Sequence, residues 1–109
     1  MKTKQADEVI NLFRKRARQA LGPTLVSIRW FGSRARGEYE AGSDYDLLLE
    51  VREEPTEPLR DLVADIAVDI AADFGVLLDI HYRSVRMMKT APYTSSPFID
   101  AVLSEGVLV

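Results

Sequence analysis

Two aspartates one residue apart, Asp44 and Asp46, follow a glycine–serine pair, Gly32-Ser33, with ten residues between Ser33 and Asp44. The stretch Asp44–Val51 has the composition of a strand. Its side chains alternate, so both carboxylates face one way and Tyr45 the other. Two like charges so close cost stability unless a cation sits between them. Magnesium suits the role, because it takes oxygen ligands and is usually held by one or two carboxylates plus substrate phosphates. Such pairs can hold two metals about 3.5–4 Å apart, which clamp the entering and leaving oxygens of a phosphoryl transfer. Gly32 lets backbone approach a phosphate, amides at a helix start attract anions, and the Ser33 hydroxyl adds a hydrogen bond. Arg34 and Arg36 offer charge-assisted contacts to the same anion. Asp79 is a third carboxylate, placed in a run of otherwise apolar residues where an unpaired charge is expensive. Singly, each feature has an everyday explanation: a turn, a strand cap, a carboxylate paired with an arginine. Their joint occurrence, in this order, is the informative observation.

The elements that must position these residues are legible in the hydrophobic periodicity. Ala6, Val9, Ile10, Phe13, Ala17, Ala20 and Leu21 recur at helical spacing over residues 5–21, and Gly22-Pro23 stops them. Residues 24–31 are β-branched and aromatic and read as a strand ending at Gly32. A short helix is expected from Ser33, with Ser33 as its cap. After a turn at Gly42-Ser43, residues 44–51 form the second strand. Leu59, Leu62, Val63, Ile66, Ala67, Ile70, Ala71 and Phe74 make the apolar stripe of a long helix, begun by Pro58 and ended by Gly75. Residues 76–82 give a third strand. A last short helix begins at Pro97, capped by Ser95 or Ser96, and stops at Gly106. The expected order is α-β-α-β-α-β-α: an α/β (α+β) domain with a small mixed three-stranded sheet packed by helices.

Composition narrows the function classes. The chain has 109 residues, enough for a single core and read as one domain over 1–109, with 47% hydrophobic residues. A net charge of −3 argues against a dedicated nucleic-acid binder, so nucleic acid is not expected as a direct ligand. Cysteine is absent, which excludes disulfides and thiolate metal sites. No apolar run is long enough to span a bilayer, and acidic residues occupy the place of a signal peptide's apolar stretch. No membrane association and a cytoplasmic location are the corresponding expectations.

The stretch Phe31–Val51 resembles the Gly-Ser…Asp-x-Asp signature of the DNA polymerase β-like nucleotidyltransferase superfamily, with the ten-residue gap of that family. Its nearest resemblance is to the minimal nucleotidyltransferases, the MntA-like antitoxin group. The likeness extends over most of the chain, through residues 76–82, where the third aspartate belongs, to the ending at residues 96–109. The resemblance implies the nucleotidyltransferase fold, with Gly32 and Ser33 holding a nucleoside triphosphate. It implies Asp44 and Asp46 as magnesium ligands, Asp79 as the third acid (metal ligand, general base or both), and Arg34 and Arg36 as phosphate contacts. The implied reaction transfers AMP from ATP to a hydroxyl and releases pyrophosphate. The implied partner is a HEPN-type ribonuclease toxin carrying an acceptor tyrosine, with this chain as its antitoxin.

Larger relatives that modify antibiotics or RNA hold the acceptor on an additional domain, for which this sequence leaves no room, so an open site is expected. Other readings are a transferase whose small-molecule or RNA-end acceptor sits on a separate subunit, a non-catalytic antitoxin that inhibits by covering, and a nucleotide-binding regulator. Asp61, Asp65, Asp69 and Asp73 recur every fourth residue along the long helix and read as a solvated face before they read as a docking surface. The same holds for the basic run at residues 14–18. His81 shares the face of Asp79 and so could touch the site, but is expected first as a structural or partly exposed histidine. Trp30, Phe31, Tyr45 and Phe74 read as core or as walls beside a nucleotide. Met87, Met88 and Tyr93 are expected in a loop at the site's rim.

Overall fold

The computed structural model of the chain describes residues 4–32, 35, 44–90 and 96–109. Helix α1, Lys4–Leu21, is followed by a single 3-10 turn over Gly22–Thr24, strands β1 (Leu25–Phe31) and β2 (Tyr45–Val51), and helix α2 (Glu57–Phe74). Strand β3 (Leu78–Ser84), helices α3 (Val85–Lys89) and α4 (Pro97–Glu105), and strand β4 (Val107–Leu108) complete it. The sheet order is β3-β2-β1-β4. β1 is antiparallel to β2 and to β4, and β2 is parallel to β3, with α2 as the crossover that parallel pairing requires. The mixed sheet therefore has four strands rather than three. The fourth is two residues long and pairs Val107 and Leu108 with Trp30 and Arg29 of β1. So short a strand shows no alternation, which is why the sequence pattern ended at Gly106.

One face of the sheet carries the main core. Ile28, Trp30, Tyr45, Leu47, Leu49 and Val51 meet Val9, Ile10, Phe13 and Ala17 of α1 and Val63 and Ile70 of α2. Trp30 and Tyr45 stack at 6.1 Å between centroids and are core residues, buried on the helical side. The start of α2 is fixed by Thr56, whose hydroxyl accepts from the Leu59 amide, and by Pro58 in the first turn. Gly75 ends it in the left-handed conformation (φ 66°), with its amide on the Ala71 carbonyl. Ser96 is the cap of α4, accepting from the Ile99 amide. Met87 and Met88 lie in α3, not in a loop, because the buried Ser84 caps that turn by accepting from the Met87 amide. Tyr93, Ser95 and the helix expected from Ser33 lie outside the described residues.

Among the described residues, the second face is only partly covered. Leu48 at its centre packs on Ile99 and Val102 of α4, with Phe31, Met88 and Phe98 around them. The rest of this face is polar.

Candidate active site

The polar face is organised by strand register. Asp46 on β2 pairs with Phe31 of antiparallel β1 on one side and with Asp79 of parallel β3 on the other. One step along, Leu48 stands between Arg29 and His81, and a step further Glu50 stands between Ser27 and Arg83. Because side chains alternate, Asp46, Asp79 and His81 all emerge on the side away from α1 and α2. Ligand-type atoms of these three residues lie within 4.8 Å of one another. His81 Nε2 is 3.3 Å from Asp79 Oδ2.

β1 ends at Gly32, directly beside this group. Gly32 has φ 85°, a conformation that side-chain-bearing residues rarely adopt. A Cβ at Gly32 would overlap the Asp46 carboxylate. The glycine thus does two things at once: it turns the chain out of β1, and it leaves the space that the carboxylate fills. This is a tighter coupling between Gly32 and Asp46 than the motif spacing alone conveys.

Asp44 is half-buried and immediately precedes β2, one step beyond the strand's first residue. It is not among the three residues that converge within 4.8 Å. Ser33, Arg34 and Arg36 lie outside the described residues. Asp79 is paired in register as an active-site carboxylate needs to be, but the reason drawn from its apolar surroundings does not hold. Its side chain is about half exposed at 52%, on the open face of an edge strand, so burial does not penalise its charge.

His81 is the residue that sequence reasoning undervalued. Its ring lies 5.7 Å from that of Phe31 and 5.1 Å from that of Phe98, and these two rings meet edge to face at 5.6 Å. The one available signal was its i+2 spacing from Asp79, which puts both on one face of β3. Arg83 continues that face, with its guanidinium 5.1 Å from the Phe98 ring and one terminal nitrogen donating to the Tyr82 carbonyl. Beyond it, Ser27, Arg29 and Glu50 form a small polar network away from the carboxylate pair. The acidic row Asp61, Asp65, Asp69 and Asp73 is exposed along α2, which packs on the other face of the sheet. Phe74 belongs to that side too. It lines a groove of about 800 Å³ against α1, together with Arg14, Lys15 and Arg18.

Such an arrangement can hold a divalent cation between carboxylates of neighbouring strands, next to a glycine turn where backbone can approach an anion. The donor set is oxygen-rich and partly open to solvent, which leaves coordination positions for phosphate and water. Among the described residues, no helix is long and apolar enough to cross a membrane.

Comparisons with known proteins bear on the family and the fold. The family model for the nucleotidyltransferase domain matches residues 10–106. A protein of Methanocaldococcus jannaschii, named as a candidate protein adenylyltransferase, is 34% identical over 103 residues, covering 94% of this chain and 96% of the relative. Among solved structures, a minimal nucleotidyltransferase superposes with a TM-score of 0.58 at 28% identity, covering 92% of each chain. A chain of a toxin–antitoxin complex with AMP-PNP superposes with a TM-score of 0.60 at 18% identity, over 97% of this chain and 72% of that one.

Proposed function

From the premise that this chain belongs to the nucleotidyltransferase domain family, and is a nucleotidyltransferase, we propose that it moves AMP from ATP onto a tyrosine hydroxyl of a HEPN-type ribonuclease toxin. On this reading the chain is the antitoxin, magnesium-dependent, and the modified toxin is silenced. The observation that carries the reading is the register pairing of Asp46 with Asp79, with the Asp46 carboxylate seated over Gly32. The similarity to a named protein adenylyltransferase supports AMP as the group and protein as the acceptor. A fold shared with a chain of a nucleotide-bound toxin–antitoxin complex supports the partner class.

Asp44, Asp46 and Asp79 would hold magnesium, which when bound lowers the negative charge that the triphosphate presents to an incoming oxygen. The backbone turn at Gly32, with Ser33, Arg34 and Arg36 following it, would orient the triphosphate so that the α-phosphorus faces the acceptor. The acceptor oxygen forms a bond to that phosphorus, the bond to the β-phosphate oxygen breaks, and pyrophosphate leaves. Asp79, half exposed, would also receive the hydroxyl proton if it serves as base as well as metal ligand. Phe31 and Phe98 would give the site one apolar wall.

The test is the intact mass of a HEPN-type partner after incubation with this chain, ATP and magnesium. The expected result is a gain of AMP-sized units that disappears with Asp44→Ala or Asp46→Ala. A stable complex without any gain would replace transfer by inhibition through binding. Modification of a free small acceptor or an RNA end, with the partner untouched, would move the acceptor to another class.

A further inference from the structure

We infer that His81 is a nitrogen ligand of the catalytic metal, and that it turns an otherwise magnesium-type site toward manganese or cobalt. The inference rests on the metal-dependent reading above and adds a residue that the acidic signature does not contain. Its basis is geometric. Asp79 and His81 leave β3 two residues apart on the same face, and Asp46 is the register partner of Asp79 on β2. The three ligand atoms therefore come from neighbouring positions on one face of paired strands and lie within 4.8 Å of one another. Two ligands at a right angle and about 2.1 Å from a metal lie about 3 Å apart. The 3.3 Å between His81 Nε2 and Asp79 Oδ2 is close to that separation.

The imidazole is also held in place. Phe31 and Phe98 pack around its ring, and only a third of its side chain is exposed. This packing stabilises the ring whatever its role, and it also fixes the direction of Nε2. Fixing the ring so that Nε2 points into a carboxylate pair is what a metal ligand needs, because a pre-oriented ligand loses less freedom on binding. Magnesium binds oxygen donors and dehydrates reluctantly, whereas first-row transition ions accept imidazole readily. One nitrogen among the donors shifts preference away from magnesium without excluding it.

The experiment uses the whole chain with tripolyphosphate, a stand-in for the nucleotide that contains no nitrogen. Manganese binding is read from the electron-spin signal of the free ion, in competition with magnesium, and coordination from pulsed-resonance ¹⁴N modulation. Wild type is expected to prefer manganese by at least about ten-fold and to show directly coordinated imidazole nitrogen. His81→Phe keeps an aromatic ring against both Phe31 and Phe98; it should lose the ¹⁴N modulation and weaken manganese about ten-fold, with magnesium changed much less. Manganese held by wild type and lost in Asp46→Asn, but with no ¹⁴N modulation in wild type, would overturn the inference. His81 would then be a positioning partner of Asp79, with the metal-dependent reading intact. No manganese binding to wild type would overturn both. The wild-type spectrum decides the matter even where a variant does not fold.

Discussion

At the scale of single residues, the site is a set of mutual constraints rather than a list of ligands. Asp46 is flanked in register by Asp79 and sits in the space left by a missing Cβ at Gly32. Replacing Asp46 by Asn removes a proposed metal ligand and a like-charge neighbour of Asp79 together. AMP transfer should fall by at least about 10²–10³-fold. The melting temperature without metal should stay the same or rise slightly, since the mutual repulsion is gone. A large fall in melting temperature would mean that Asp46 is structural. Gly32→Ala should behave in the opposite way. It forces a side chain into left-handed backbone, at about 1–2 kcal/mol, and pushes on the Asp46 carboxylate. Stability from urea denaturation should drop by about 1–3 kcal/mol, and transfer by about 100-fold through misplacement of Asp46. Unchanged transfer in a folded Gly32→Ala protein would separate the glycine from the chemistry.

At the scale of elements, α2 links the two strands that carry the acids, and its ends are specified locally. Gly75→Ala meets no steric neighbour, so its cost comes only from the left-handed backbone (φ 66°). A loss of about 1 kcal/mol in urea denaturation is expected, with metal binding unaffected because β2 and β3 remain paired. Between α2 and the edge strand β3 lies Tyr82, its ring under the Arg60 guanidinium at 4.9 Å. Burial raises the Tyr82 pKa above its ordinary 10.0, and Arg60 offsets part of that rise. The neutral phenol is the form the fold prefers, so its contribution is complete below pH 10 and is lost as pH rises through the higher folded value. Tyr82→Phe should flatten stability against pH in that alkaline range and leave it unaltered near neutrality. The helices and strands of this layer were legible because each spans several periods of its pattern and carries its own boundary signals, Gly22-Pro23, Pro58 and Gly75. β4 was not, because two residues show no period and the pairing is supplied by the open edge of β1. Gly32, Asp46 and Asp79 were marked in sequence by unusual residue types at strand ends and in a strand. His81 was marked only by sharing the face of Asp79, because its packing against Phe31 and Phe98 joins elements distant in the chain.

At the scale of the whole molecule, the site occupies the face of the sheet that the described residues cover less. One side of that sheet is closed by α1 and α2, while on the other α4 covers Leu48 and leaves Asp79 half exposed beside it. An open face gives a small acceptor few groups to bind. Binding energy that orients an acceptor hydroxyl must then come from contacts away from the reacting atoms, which only a large acceptor provides. A folded protein partner supplies such contacts across its own surface, and a short peptide around the same tyrosine does not. The expected outcome is that kcat/KM for the folded HEPN-type partner exceeds that for a tyrosine peptide of its sequence by at least about 100-fold. The difference should appear in kcat as well as KM, because remote contacts position the hydroxyl and do not merely hold it. Steady-state pyrophosphate release with each acceptor measures both parameters. Equal kcat/KM for peptide and protein would place acceptor recognition in the immediate surroundings of Asp46 and Asp79, and would make the open face incidental to the choice of acceptor.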